Sequence, residues 1–156
     1  MRGKKQASKR KINPDPKYSN QVVAKFINYI MREGKKTIAQ KIIYGALDII
    51  GEREKKNPLK ILEEAITNVA PLYEIKSRRI GGANYQIPVA VRTERRTVLA
   101  LKWMIEAAKT KRGRSMKEKL AEELILASRG EGGAVKKKEN VHKMAEANRA
   151  FAHFAW

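Results

Sequence analysis

The residues best equipped for chemistry in this chain are cations. In "KSRRIGGANYQIPVAV", Lys76 to Val91, Arg78 and Arg79 run into Gly81-Gly82, and the chain returns through alternating apolar residues. A guanidinium makes forked, charge-assisted hydrogen bonds to phosphate. Successive strand residues point to opposite faces, so both sides of a hairpin tip would carry such a group, with Tyr85 packed under Arg79 or stacked on a base. Catalytic chemistry finds little footing. There is no cysteine, which excludes disulfides and thiolate metal sites. His142 and His153 are eleven apart, a spacing that fits no common zinc or triad signature; they read as helix-surface or packing residues. The pairs Glu63-Glu64 and Glu122-Glu123 are successive helix positions facing different directions, and read as solvated faces. The expectation is a protein without catalytic residues, metal or cofactor.

The bulk numbers agree with phosphate as the partner. The 156 residues hold 35 Lys and Arg against 16 Asp and Glu, a formal charge of +19 and a pI near 10.3. Such a surface repels itself unless neutralised. A polyanion does this well, because each neutralised phosphate releases condensed counterions. Nucleic acid leads and an anionic membrane surface trails. No run of 18 apolar residues appears, and "MRGKKQASKRKINPDPK" lacks the apolar core of a secretory signal. A soluble, intracellular protein is expected.

Helical periodicity organises most of the chain. A first helix from Asn20 places Val22, Val23, Phe26, Ile27, Ile30 and Met31 at helical spacing before Gly34 as C-cap. A second carries Ile38, Ile42, Ala46 and Ile49 on one stripe, with Ala39, Ile43 and Ile50 beside it, and stops near Gly51. A third opens with Asn57 and Pro58, buries Leu62, Ala65, Ile66 and Val69, and halts at Pro71. The fourth runs from about Thr93 to Lys109 with Val98, Leu101, Ile105 and Ala108 inward, and Arg95, Lys102 and Lys109 in a row alongside. The fifth begins at Ser115 with Glu118 completing a capping box, and presents Leu120, Leu124 and Ala127. The sixth follows "GEGG" with Val141, Met144, Ala145, Asn148 and Ala152 as its stripe, and Lys136 and Lys143 on the far side.

Between the third and fourth helices lies a two-stranded ribbon at about residues 72–91. A two-residue Gly81-Gly82 turn would set Ile75 against Pro88 and mix apolar with polar faces. A three-residue Gly81-Gly82-Ala83 loop would pair Tyr73 with Val91, Ile75 with Val89, Ser77 with Ile87 and Arg79 with Tyr85, restoring one apolar face. The odd-length loop is therefore predicted, with Tyr73, Ile75, Val89 and Val91 leaning on the helices. The whole reads as mainly α: a six-helix bundle with one protruding two-stranded antiparallel ribbon. Residues 1–17 form a flexible basic arm, and residues 18–156 a single RNA-binding domain.

These residues resemble the bacterial-type ribosomal protein S-seven family of the small subunit. The similarity spans nearly the whole chain and rests on "FINYIMREGKK" at 26–36, "RRIGGANYQIPV" at 78–89 and "GGAVKKKENVHKMAEANRAFAH" at 132–153. It implies six helices with a ribbon between the third and fourth. It also implies binding to the 3′ major domain of the small-subunit rRNA, nucleation of head assembly, and a place near the mRNA exit and the exit-site tRNA, without catalysis. Carried over by position, the rRNA-binding residues are Arg2, Lys4, Lys5, Lys9, Arg10 and Lys11 of the arm, Lys35 and Lys36, and Arg78 and Arg79 of the ribbon. Arg92, Arg95, Arg96 and Arg114 follow, then Lys136, Lys137 and Lys138; Tyr85, Lys102, Lys143 and Arg149 complete the predicted RNA-binding set. The ribbon tip and C-terminal helix would face tRNA and mRNA, beside neighbouring head and platform proteins. Outside a cytoplasmic or organellar ribosome, a monomer without membrane association is implied. Thr93 stands where the family often has proline, and Ala155 where a basic residue is usual.

The rival reading is a DNA-bending protein using the ribbon as a minor-groove arm. Such arms carry an apolar wedge, and here only Ile80 could serve.

Overall fold

Asn20 opens the first helix as its residue type dictates: its side-chain oxygen accepts from the Val22 N–H at 2.7 Å and the Val23 N–H at 3.4 Å, satisfying donors that a helix start leaves unpaired. The computed structural model describes residues 12–154. In order they form α1 (Gln21–Ile30), α2 (Lys36–Glu54), α3 (Pro58–Val69), β1 (Tyr73–Ile80), β2 (Ala83–Ala90), α4 (Thr93–Thr110), α5 (Met116–Ser128), α6 (Gly133–Ala147) and a terminal 3-10 turn (Arg149–Phe154). The class is mainly α with one antiparallel ribbon between α3 and α4, as the sequence predicts. The arm cations Arg2, Lys4, Lys5, Lys9, Arg10 and Lys11 lie outside the described residues.

The chain divides into two compact units, one ending at Ile43 and one beginning at Tyr44, with α2 contributing to both. In the first unit, α1 buries Val23, Phe26, Ile27 and Ile30. Ahead of it, Asp15 is buried and its carboxylate accepts from the Lys17 and Tyr18 N–H groups, each at 3.1 Å. The helix ends at Ile30, before the expected Gly34 cap. Glu33 and Gly34, both with positive φ (51° and 71°), instead form the turn into α2.

Two helix expectations change for packing reasons. In α2 the buried residues are Ala39, Ile43, Ala46, Leu47 and Ile50, while Ile38 is 53% exposed. Both candidate stripes are apolar, so period alone could not rank them. The helix also continues past Gly51 to Glu54. A Cβ at Gly51 would meet the Pro58 ring at 3.3 Å, so this glycine permits close approach of α3 and does not stop α2. In α6 the buried residues are Ala134, Val135 and Ala145, whereas Met144 is 48% exposed; of the expected stripe of Val141, Met144, Ala145, Asn148 and Ala152 only Ala145 is buried, and the helix ends at Ala147, before the last two.

The second unit closes around Leu62, Leu101, Met104, Leu120 and Leu124, all fully buried. Among them sits Glu123, with no solvent exposure, which contradicts its reading as part of a solvated face. Its Oε1 accepts from the Ala134 N–H at 2.9 Å, a backbone donor in the first turn of α6, where the helix dipole favours negative charge. Its Oε2 stands 3.1 Å from Lys111 Nζ, close enough for an ion pair though the two atoms are not aligned as a hydrogen bond. By contrast, the capping box predicted for α5 does not form: Ser115 holds the N-cap position without a side-chain hydrogen bond.

The ribbon corrects the predicted loop. Tyr73 pairs with Ala90, Ile75 with Pro88, Arg78 with Tyr85, Arg79 with Asn84 and Ile80 with Ala83, which leaves Gly81-Gly82 as a two-residue turn. Their φ values of 56° and 90° are what a type I′ turn demands of both central residues, and glycine adopts them without steric cost. Apolar residues consequently fall on both faces. That is tolerable because each face has a buried anchor: the neighbours Ile87 and Pro88, on opposite faces, are each buried.

Gly132 combines two constraints. Its φ is +98°, and a Cβ there would meet Glu123 Oε1 at 2.8 Å and Leu126 Cβ at 3.2 Å. Gly132→Ala is expected to destabilise the protein by about 2–4 kcal/mol, from left-handed strain plus overpacking. Gly130→Ala, at φ +79° with open space around it, should cost about 1–2 kcal/mol from strain alone. Urea denaturation of the two variants checks the difference.

Candidate nucleic-acid interface

The ribbon's register sorts its side chains. Glu74, Lys76, Arg78 and Ile80 share a face with Val89, Ile87, Tyr85 and Ala83; Tyr73, Ile75, Ser77 and Arg79 share the other with Ala90, Pro88, Gln86 and Asn84. The outer half of this second face is polar throughout, and Ser77, Arg79, Asn84 and Gln86 are all exposed. The first face is occupied differently. Tyr85 packs against Phe151 and Phe154 of the terminal turn, with ring centroids at 5.2 and 5.6 Å, and an Arg78 guanidinium nitrogen lies 3.5 Å from the Phe154 carbonyl oxygen. Tyr85 therefore sits opposite Arg78 and not Arg79, and the C-terminal turn takes the ring surface that base stacking would need.

At the foot of the ribbon, Glu74 ties the strand to α4. Its carboxylate accepts from Arg95 Nε at 3.0 Å and lies 3.4 Å from Lys76 Nζ, with only 15% of the side chain exposed. Arg96 Nε donates to the Val91 carbonyl at 3.0 Å, where the chain turns from β2 into α4. Arg92 is exposed beside them. Three predicted cations thus gather at one junction, and two of them, Arg95 and Arg96, are held by the fold.

The α6 lysines divide in the same way. Lys138 Nζ donates to the Asn68 carbonyl at 2.7 Å, near the end of α3, while the Asn68 amide donates to the Ala127 and Ser128 carbonyls at 2.9 and 2.8 Å. Lys138 and Asn68 together fasten α6, α3 and the end of α5. Lys137 pairs with Glu106 at 2.6 Å and lies over the Trp103 ring at 5.8 Å. Lys136 and Lys143 are exposed, as are Lys102 on α4 and Arg149 in the terminal turn. Arg114 lies 3.3 Å from Glu122, which also faces Lys111 at 3.8 Å. In the first unit, Lys35 and Lys36 are exposed at the start of α2, and Lys35 pairs with Glu33 at 2.6 Å.

Among the described residues no cluster of three or more His, Asp or Glu side chains could hold a metal, and no helix is long and apolar enough to cross a membrane. Ile80, which a DNA-bending arm would need as its wedge, is half-buried and closes the ladder against Ala83.

Comparison with known proteins decides the family. The family model for "Ribosomal protein S7p/S5e" matches residues 2–149. The chain belongs to the ribosomal protein S7p/S5e family. It is 58% identical to "Small ribosomal subunit protein uS7" of Thermotoga maritima over 153 residues, 98% of this chain and 99% of that protein. It is 56% identical to the protein of the same name from Pelotomaculum thermopropionicum over 148 residues, 95% of each, and 53% identical to that of an Anaeromyxobacter species over 156 residues, the full length of both.

For this S7p/S5e chain, sequence reasoning located the cations but not the groups that hold them. Glu74 was legible in part, since it shares strand alternation with Lys76 and Arg78; Asn68, Lys111 and the Glu54–Arg129 pair at 2.7 Å join elements distant in sequence and left no local signal. The two α6 lysines give a test. Lys138→Ala should cost about 1–3 kcal/mol by abandoning the Asn68 carbonyl, whereas exposed Lys136→Ala should stay within about 0.5 kcal/mol. Thermal denaturation of both variants measures this.

Proposed function

We propose that this chain is a structural protein of the small ribosomal subunit that binds the 3′ major domain of the small-subunit rRNA, nucleates assembly of the head, and lies near the mRNA exit and the exit-site tRNA. Family membership supports the ribosomal part of this reading. The observation that carries RNA binding is the polar outer face of the ribbon, with Arg79 exposed among Ser77, Asn84 and Gln86, on a chain of charge +19. Those side chains offer donors to phosphate and sugar oxygens without an apolar lining. Arg92, Arg95, Arg96, Lys102, Arg114, Lys136, Lys143 and Arg149 extend the cationic surface, and Lys35 and Lys36 add to it from the first unit. The arm would contribute Arg2, Lys4, Lys5, Lys9, Arg10 and Lys11.

Recognition would follow RNA shape more than sequence, because A-form helices hide their major-groove edges from side chains. Partners are the rRNA, neighbouring head and platform proteins, and mRNA and tRNA at the ribbon tip and C-terminal end. The protein would work in the ribosome as a scaffold with no reaction of its own.

Phosphate contacts set the test. If about 6–10 form, affinity for the 3′ major domain should fall by roughly three to five orders of magnitude between 50 and 200 mM salt. Replacing Arg78 and Arg79 together with Ala should lower the salt slope by about two and leave the helical circular dichroism signal intact. A flat salt profile for the parent protein overturns the reading. Helix loss in the variant would instead mean that the ribbon supports the core.

A further inference from the structure

Where the ribbon meets α6 and the terminal turn, an open cleft of about 490 Å³ is lined by Tyr73, Pro88, His142, Ala145, Glu146 and Arg149. Its size falls within the span of small-molecule sites. Tyr73 is 46% exposed. Among the described residues its ring meets one other, edge-to-face with His142, centroids 6.3 Å apart at 74°, and that contact leaves at least one face of the phenol uncovered by His142. His142 itself is fixed: its Nε2 accepts from the Leu72 N–H at 3.0 Å, which assigns the ring proton to Nδ1. Burial, and next the charge of Lys138, hold its pKa below the ordinary 6.5, keeping the ring neutral.

The lining is a mixed one. An aromatic ring and a buried proline form an apolar wall, while exposed Arg149 and Glu146, three residues apart in the chain, supply a guanidinium and a carboxylate. A bare phosphate would have no use for the wall and would meet Glu146 as a like charge. An acidic peptide meets the same repulsion. A nucleotide uses every part: its base stacks on the aromatic face, its phosphate takes the guanidinium, and an exocyclic amine donates to the carboxylate. A ligand with both a flat apolar body and an anionic tail also suits a chain of charge +19.

We propose that this cleft receives one unpaired RNA base bearing an exocyclic amine, stacked on Tyr73, with Glu146 accepting from the amine and Arg149 donating to the adjoining phosphate. The cleft thereby prefers cytosine, adenine or guanine over uracil, the one RNA base without such an amine, in a protein whose other contacts read RNA shape. It rests on the RNA-binding reading above and adds a single-stranded subsite to it.

The test uses the full chain and fluorescently labelled single-stranded hexamers of cytidine or uridine, followed by anisotropy across a salt series. The cytidine hexamer should bind more tightly than the uridine hexamer. Tyr73→Ala should weaken cytidine binding by about 5- to 150-fold, the range spanned by loss of one base–aromatic stack, with the salt slope unchanged, and Tyr73→Phe should retain binding. Glu146→Ala should bring the two hexamers within about twofold of each other. Equal binding of the two hexamers by the parent, or Tyr73→Ala within twofold of the parent, overturns the proposal. Should Tyr73→Ala lose its helical signal, exposed Glu146→Ala decides, and a cytidine preference persisting there overturns it. Titration of the same variants with the 3′ major domain separates the two readings: steep salt-dependent rRNA binding beside failed hexamer results rejects the cleft alone, whereas absent rRNA binding by the parent rejects the broader function.

Discussion

Unbalanced positive charge is the constraint to which the rest of this molecule answers. Thirty-five cationic side chains face sixteen acids, and at an effective dielectric near that of a protein surface each close like-charge pair costs energy that the core must offset. Three of the exposed ion pairs also join elements. Glu74 links β1 to α4 through Arg95, Glu54 links α2 to the end of α5 through Arg129, and Glu106 links α4 to α6 through Lys137. Exposed pairs of this kind are individually weak. Their placement still orients side chains that would otherwise sample many rotamers. Arg95 is held beside a largely buried Glu74, and a side chain ordered in advance would lower the ordering cost of binding any partner.

Glu123 is the exception in both burial and consequence. A carboxylate removed from water is tolerated only when its oxygens are matched, and here the matches are the first turn of α6 and Lys111. The arrangement fixes where α6 begins. From that start, helical geometry decides which positions face the core: Ala134, Val135 and Ala145 inward, Lys138 toward the Asn68 carbonyl, His142 toward the Leu72 N–H, and Lys136 and Lys143 outward. Gly132 is needed beside it because any side chain would displace the carboxylate. One buried acid thus governs the placement of several basic residues and of one wall of the cleft at the ribbon's foot.

Much of the architecture was legible in the amino-acid order because local chemistry and period agreed. Asn57 with Pro58 started α3, Leu120, Leu124 and Ala127 formed the buried face of α5, and the ribbon was placed between the correct helices. Failures arose where two local rules competed. In α2 and α6 more than one apolar stripe was available, and only tertiary packing chose between them. At the hairpin, face alternation argued for an odd loop while Gly81-Gly82 supplied the two positive φ values of a type I′ turn, and turn geometry prevailed because each face still buries one residue, Ile87 or Pro88. The terminal 3-10 turn gave no periodic signal, so its capture of Tyr85 could not be foreseen. Of the candidate interface, the cations themselves were readable from charge and resemblance; their division between fold-holding Lys138 and outward Lys136 depends on an α3 carbonyl seventy residues away.

A cationic surface whose groups are pre-set by the fold should distinguish a folded RNA from a generic polyanion of equal charge density. The direct measurement is a competition at physiological salt: the purified chain bound to the labelled 3′ major domain of the small-subunit rRNA, titrated with heparin and, in parallel, with the unlabelled RNA. Retention of the complex at heparin concentrations well above those at which unlabelled rRNA displaces it is the predicted result. Displacement by heparin and rRNA at the same phosphate-or-sulfate equivalence would contradict it, leaving the charge without a specific partner.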